Sequence, residues 1–166
     1  MTNMPTADRP RIPAGYGIPR STKGLLDWSH MDARLREAMV YWVATSGPGG
    51  VPRVRPVDGL WHEGVLYIGG SPETRWARDL EANPLVAVHL DDGSDVVIIE
   101  GEAELLEHGV GPELAVALAD LSNAKYPAYG MTPESYTGPG PFAIRPRVAF
   151  GWTSFPKDVT RFRFER

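Results

Sequence analysis

The sequence predicts a mainly β fold, an antiparallel barrel, closed or nearly so, of six or seven strands with helices at its periphery. Three observations carry this expectation. Glycine and proline are both abundant, 18 and 16 of 166 residues, as in chains with many turns between short elements. Runs of β-branched and aromatic residues follow one another through most of the chain, broken by Gly-, Pro- and Asp-containing turns. Helical periodicity is confined to a few separate stretches, and there is no internal repeat, so the pattern fits a meander wrapped on itself with the helices outside.

Taken in order, residues 1–24 carry four prolines and little periodic apolar content, which reads as an extended or disordered N-terminal arm outside the core. Residues 25–166 then form a single domain, a size that can bury a sizeable core. Residues 28–39 fit a helix, with Ser29 as cap, Asp32 three residues on, and Met31, Leu35, Ala38 and Met39 along one stripe. Residues 40–46 switch to strand chemistry and "GPGG" turns the chain. The stretch 51–62 alternates, with Val51, Arg53, Arg55 and Val57 on one face, and its two prolines suit an edge better than a central strand.

After a turn at Glu63 and Gly64, "VLYIGG" is a strand, and "SPETRWARDLEANP" has the punctuation of a helix over 72–82. Ser71 would cap it, Pro72 suits its first position, Asn83 suits the left-handed residue beyond its end, and Pro84 stops it. Strand 85–90, the turn "DDGSD" and the long strand 95–107 follow. A helix over 111–126, begun by Pro112, leads into a loop rich in Pro, Gly and Tyr, and two last strands span 142–155 and 160–166.

Composition excludes several function classes. Zero cysteines remove disulfide frameworks, thiolate catalysis and Cys-ligated metal, and fit a reducing compartment, so a cytoplasmic location is expected. With 17 Lys+Arg against 21 Asp+Glu, broad nucleic-acid binding is not expected. The N-terminal stretch has no apolar segment of signal-peptide type, and the longest aliphatic run, 96–99, cannot span a bilayer.

Chemistry concentrates around the second helix. Its first turn leaves backbone N–H groups without partners, the Ser71 and Thr74 hydroxyls lie beside them, and Arg75 and Arg78 are three apart on one face. A cation in the first turn opposes the helix dipole by roughly 0.3–1 kcal/mol, a cost that a bound phosphate would remove. A solvated helix with Arg75 paired to Asp79 and Arg78 to Glu81 accounts for the same residues. Arg53 and Arg55, about 6.6 Å apart by strand rise, read either as a wetted strand face or as converging on the same anion. Trp152 and Arg161 could stack on and hydrogen-bond to a planar ring, or be core and surface residues respectively. His30, His62, His89 and His108 lack ligand spacing, "DDGSD" fails the calcium-loop pattern, and "GPGG" lacks the Walker lysine, so no metal site, nucleotide loop or catalytic triad is expected.

Read together, "YWVATSGPGGVPRVRPV", "GVLYIGGSPETRWARDLEANPLVAVHL", "DVVIIEGEAEL" and "GWTSFPKDVTRFRF" resemble, in order and spacing, the pyridoxamine 5′-phosphate oxidase-like split-barrel flavoproteins and their deazaflavin-dependent relatives. The resemblance implies a six-stranded antiparallel split barrel of the FMN-binding type, α+β with peripheral helices, and a homodimer with the cofactor at the interface. It implies phosphate ligands at Arg55, Thr74, Arg75 and Arg78, with Arg53 and Ser71 nearby, and places Val57 against the isoalloxazine ring. Trp152 and Arg161 would complete the site, from the partner subunit. The cofactor would be FMN, or alternatively a deazaflavin coenzyme, and would carry the redox chemistry itself.

Two departures stand out. The stretch "FPKDVTR" lacks the Arg-x-His pair that grips pyridoxamine phosphate, and Trp76 stands where relatives often carry a second basic residue. The expected function is a flavin- or deazaflavin-dependent oxidoreductase acting on a small molecule other than pyridoxamine phosphate. The alternatives are a non-enzymatic flavin or tetrapyrrole (haem) binding or storage protein on the same barrel, and a structural dimer whose basic cluster is only surface.

Overall fold

The computed structural model describes residues 4–165. The first three residues of the expected arm, and Arg166 at the end of the expected last strand, lie outside the described residues. Among the described residues the elements run β1 (Thr6–Asp8), α1 (Trp28–Glu37), β2 (Tyr41–Ser46), β3 (Pro52–Val57), β4 (Leu60–His62) and β5 (Val65–Ile68), then α2 (Arg75–Ala82), β6 (Leu85–His89), β7 (Val96–Leu105), α3 (Pro112–Lys125), β8 (Phe142–Trp152) and β9 (Thr160–Arg163). Every strand pairing is antiparallel. One sheet results, in the order β1-β9-β8-β7-β6-β2-β3, with the β4–β5 hairpin attached to β8.

The fold is the expected mainly antiparallel β architecture with helices outside the sheet. The sheet is not closed, and it has nine strands because two three-residue strands, β1 and β4, join the longer ones. The stretch expected as one strand over 51–62 breaks at Asp58 and Gly59 into β3 and β4. Gly59 passes so close to the core that a β-carbon there would lie 2.9 Å from Leu66 Cδ1, so the chain crosses from one part of the sheet to another at the one residue small enough to do so.

The sheet forks at β8. Its residues Phe142 to Ile144 pair with β5, whereas Val148 to Gly151 pair with β9, while β7 runs along its other edge throughout. Pro146, which has no N–H to donate, falls between the two branches. Opposite it the β7 register shifts between Glu100 and Gly101, and a side chain on Gly101 would collide with the Arg145 carbonyl. A bulge of this kind bends and twists the strand, which lets one long strand serve two neighbours.

One face of the sheet holds the main core. Trp28, Met31 and Leu35 of α1 are buried there, with Tyr41, Val43, Leu66, Ile68, Trp76, Val88, Ile99, Phe142 and Phe162. The Trp28 ring centroid lies 5.2 Å from that of Phe162 in an edge-on contact. A second cluster joins Ala115, Leu118 and Ala119 of α3 to Leu60, Tyr67, Tyr136 and Ala143. Thus β5 and the start of β8 are covered on both faces, which is why "VLYI" and "FAI" are continuously apolar rather than alternating.

Helix ends differ from expectation by a few residues. Asp27, not Ser29, caps α1, its carboxylate accepting the Ser29 N–H at 2.8 Å. Helix α2 begins at Arg75 with Thr74 at its N-cap rather than at Pro72, and Asn83 is extended (φ −145°, ψ 104°) instead of left-handed. The arm over 4–24 is extended for part of its length: β1 pairs with β9, Pro10 is buried, and the Arg9 guanidinium donates to the carbonyls of Ser21, Lys23 and Val159. No helix among the described residues is long and apolar enough to cross a membrane.

Candidate functional site

Strand β3 presents Arg53, Arg55 and Val57 on one face, paired in register with Thr45, Val43 and Tyr41 of β2. Those three β2 residues are buried, so the β3 trio faces the core side of the sheet. Helix α2 packs over β2 on that side. Its Asp79 is only 3% exposed, and both carboxylate oxygens accept from Arg53 Nη1 at 2.8–2.9 Å, with the Thr45 hydroxyl donating at 3.2 Å. Arg53 is therefore committed to a buried ion pair that fixes α2 on the sheet, and Asp79 is not available to Arg75.

Arg55 has a different environment. Its Nε is buried and has no hydrogen-bond partner, and among the described residues it forms no ion pair. A buried guanidinium N–H left unpaired marks a place where an anion fits. Helix α2 begins one turn before Asp79. Trp76 of that first turn and Val57 of β3 line the same cavity, and Arg55 lies between Arg53 and Val57 on the strand face that they share. Thr74 leaves its side chain out of capping and donates instead to the Ser71 carbonyl at 2.8 Å. Ser71 is exposed and its hydroxyl accepts the Glu73 N–H at 3.2 Å. Arg75 and Arg78 are exposed, and among the described residues the pairs Arg75–Asp79 and Arg78–Glu81 do not form. The first-turn N–H groups of Arg75, Trp76 and Ala77 have no intrahelical acceptor.

The cavity next to this cluster has a volume of about 700 Å3, within the usual small-molecule range of roughly 300–1,000 Å3. Val57, Gly69, Gly70 and Trp76 line it together with Tyr126, Tyr129, Met131 and Tyr136, and the two groups meet where Asp58, next to Val57, accepts the Tyr129 hydroxyl. Trp76 is a core residue: it is buried, its ring centroid lies 5.4 Å from that of Phe142, and a β-carbon on Gly70 would come within 2.7 Å of its ring. It is also part of the cavity lining.

Behind the wall, α3 ends on Lys125, whose ammonium donates to the Tyr41 hydroxyl at 2.9 Å and the Gly59 carbonyl at 3.1 Å. Burial pulls its pKa down to about 8, against a smaller opposing effect of Asp58. Burial also raises the Tyr41 and Tyr126 phenols. The Tyr126 hydroxyl bonds to the Met39 and Gly59 carbonyls, and the Tyr129 hydroxyl donates to Asp58, a bond that raises the Tyr129 phenol.

Trp152 and Arg161 are not brought to this cluster within one chain. They project from the opposite face of the sheet: their neighbours Gly151, Thr160 and Phe162 point inward and are buried. Four strand spacings, roughly 19 Å at about 4.8 Å each, separate β8 from β3 along the sheet. Arg161 donates to both oxygens of Asp8 at 2.8 Å, and Arg163 joins the same carboxylate at 2.9 Å. The Arg161 hydrogen bond and charge hold the Asp8 carboxyl below its ordinary range.

Residues 28–144 match the family model described as pyridoxamine 5′-phosphate oxidase. The chain belongs to the pyridoxamine 5′-phosphate oxidase family. This family member is similar in structure to an F420 reductase, with a TM-score of 0.54 at 21% identity, over 71% of this chain and 94% of that one. A conserved hypothetical protein from Mycobacterium tuberculosis gives a TM-score of 0.64 at 19% identity, over 80% and 88% of the two chains. An FAD-binding protein from Mesorhizobium loti gives 0.58 at 20% identity, over 84% and 96%. At these identities the likeness is one of fold. No curated protein matches the sequence.

Sequence reasoning missed three features of this pyridoxamine 5′-phosphate oxidase family member. The sequence offers Asp79 only as a helix partner of Arg75, gives no sign of Lys125, and sets Tyr126 at the end of the 111–126 helix with Tyr129 and Tyr136 in the loop after it. The density of aromatic residues in that loop, between a helix and a strand, was the available signal.

Proposed function

We propose that the chain is a flavin-dependent oxidoreductase that holds FMN, with a deazaflavin coenzyme as the alternative cofactor, and passes hydride to a small molecule. The observation that carries this reading is the buried, unpartnered Arg55 Nε on the strand face that Arg53 ties to α2 through Asp79. Arg55, Thr74, Arg75 and Arg78 would grip the ribityl phosphate, with the open N–H groups of the first helical turn and the Ser71 hydroxyl beside them. Arg53 would act one step back, holding α2 in place through Asp79. Val57 and the Gly69–Gly70 backbone would orient the ring at one end of the cavity, and Trp76 would keep water from beneath it. The bound flavin supplies the hydride chemistry, so the chain needs no acid–base pair of its own.

Trp152 and Arg161 would reach the site from a second copy of the chain. Their position on the outward face of the sheet supports this, as does the apolar character of that face. Val54 and Leu85 are exposed there, with Trp42 stacked on His89 at 6.2 Å. The presence of an F420 reductase among the structural relatives keeps the deazaflavin arm in the test. Support for FMN comes from the cavity lining, where the one charged side chain is Asp58, an acid. A longer anionic cofactor tail would need cations there.

The decisive experiment is simple. The purified protein should show a flavin absorption band, and mass spectrometry of the released compound should identify FMN or the deazaflavin. A colourless protein that takes up neither compound when supplied with both would overturn the reading.

A further inference from the structure

The tyrosine end of the cavity has a chemistry of its own. Tyr126 and Tyr129 lie nearly parallel, with ring centroids 5.5 Å apart and an interplanar angle of 28°, and Tyr136 and Met131 complete the wall. The single charged side chain in the lining is Asp58, and its carboxylate accepts the Tyr129 hydroxyl. Lys125 stands behind the Tyr126 ring and is not among the lining residues. Its protons go to the Tyr41 hydroxyl and the Gly59 carbonyl, and its ammonium lies 4.9 Å from the Tyr41 ring centroid and 5.6 Å from that of Tyr126. The Tyr126 hydroxyl is likewise engaged by backbone carbonyls. A ligand at this end meets flat apolar rings, a polarisable thioether and one negative charge. No free cation is offered to it.

Resting on the flavin-binding reading above, we propose that the tyrosine end is the substrate subsite and that its substrate is an uncharged planar aromatic molecule. Stacking on Tyr126 and Tyr129 and contact with Met131 select the flat apolar body. Asp58, itself exposed, repels carboxylates and phosphates that come close to the rings.

The test uses two probes of one shape, naphthalene-2-carboxamide and naphthalene-2-carboxylate, titrated into the FMN-loaded protein. Calorimetry reads affinity, and methyl resonances of labelled methionines, with Met131→Leu for assignment, read location. The amide should bind at least tenfold more tightly than the carboxylate and should shift the Met131 methyl. In Asp58→Asn the carboxylate should gain several-fold while the amide is unchanged. Equal or tighter binding of the carboxylate, or amide binding that leaves Met131 unmoved, would overturn the proposal. FMN uptake is measured first, so its failure counts against the flavin reading alone. The same two titrations on the flavin-free protein then decide the charge preference of the tyrosine end.

Discussion

Arg53 and Arg55 occupy the same face of β3 two residues apart, yet one buried carboxylate separates their roles. Asp79 takes both contacts of Arg53 and none of Arg55. Arg53→Ala is expected to leave a buried charge unpaired and to destabilise the fold by about 3–5 kcal/mol, read by urea unfolding. Arg55→Ala is expected to leave the unfolding midpoint nearly unchanged while weakening FMN binding by about 1.5–3 kcal/mol, read by flavin titration. Loss of stability in the second variant with FMN affinity intact would place the phosphate elsewhere. The residue types and their order made this cluster legible: two arginines on a strand face, then a Thr/Arg helix. Which arginine keeps its charge free was not legible, because Asp79 chooses its partner only once α2 is laid across β2.

Elements were legible where a period was clean, and less so where contacts from two sides decided the outcome. The alternation of β3 is as read, and so is the α1 stripe at Met31 and Leu35, but the helix ends at Glu37, which leaves Ala38 at its C-cap and Met39 exposed beyond it. The start of α2 is not as read, because the Ser71 carbonyl takes both the Thr74 N–H at 3.0 Å and the Thr74 hydroxyl, so a separate turn precedes the helix. Helix α3 is pinned to β2 and to the β3–β4 crossing by Lys125, and that pin is sensitive to pH. Folding lowers the Lys125 pKa from an ordinary 10.5 to about 8. Between those values the unfolded chain binds more protons at this site than the folded one, so stability rises with pH through the window and the burden is full below about 8. Tyr41 and Tyr126, raised on folding, oppose this only above the ordinary tyrosine value near 10. The free energy of unfolding is expected to rise between pH 8 and 10, and to rise less in Lys125→Met. Equal slopes for the two proteins would show that Lys125 keeps its proton in the fold.

The outward sheet face carries exposed or half-buried apolar residues that the strand alternation already implied, among them Trp42, Val54, Leu85 and Trp152, beside the charged Glu100, Glu102 and Arg147. What no single-chain reading could supply is that the arginine cluster faces inward while Trp152 and Arg161 face outward. Leu85→Glu is expected to convert a dimer to a monomer in analytical ultracentrifugation and to weaken FMN binding in step. A variant that sediments as the unaltered protein would remove this face from the assembly. The fork in β8 carries a further consequence. The β4–β5 hairpin and α3, which wall the cavity, hang on its first half, and β9 with the arm hangs on its second, with Pro146 between them. The two limbs are therefore expected to open as separate cooperative units, which hydrogen exchange would read as one set of rates for the β5 and α3 amides and another for those of β9.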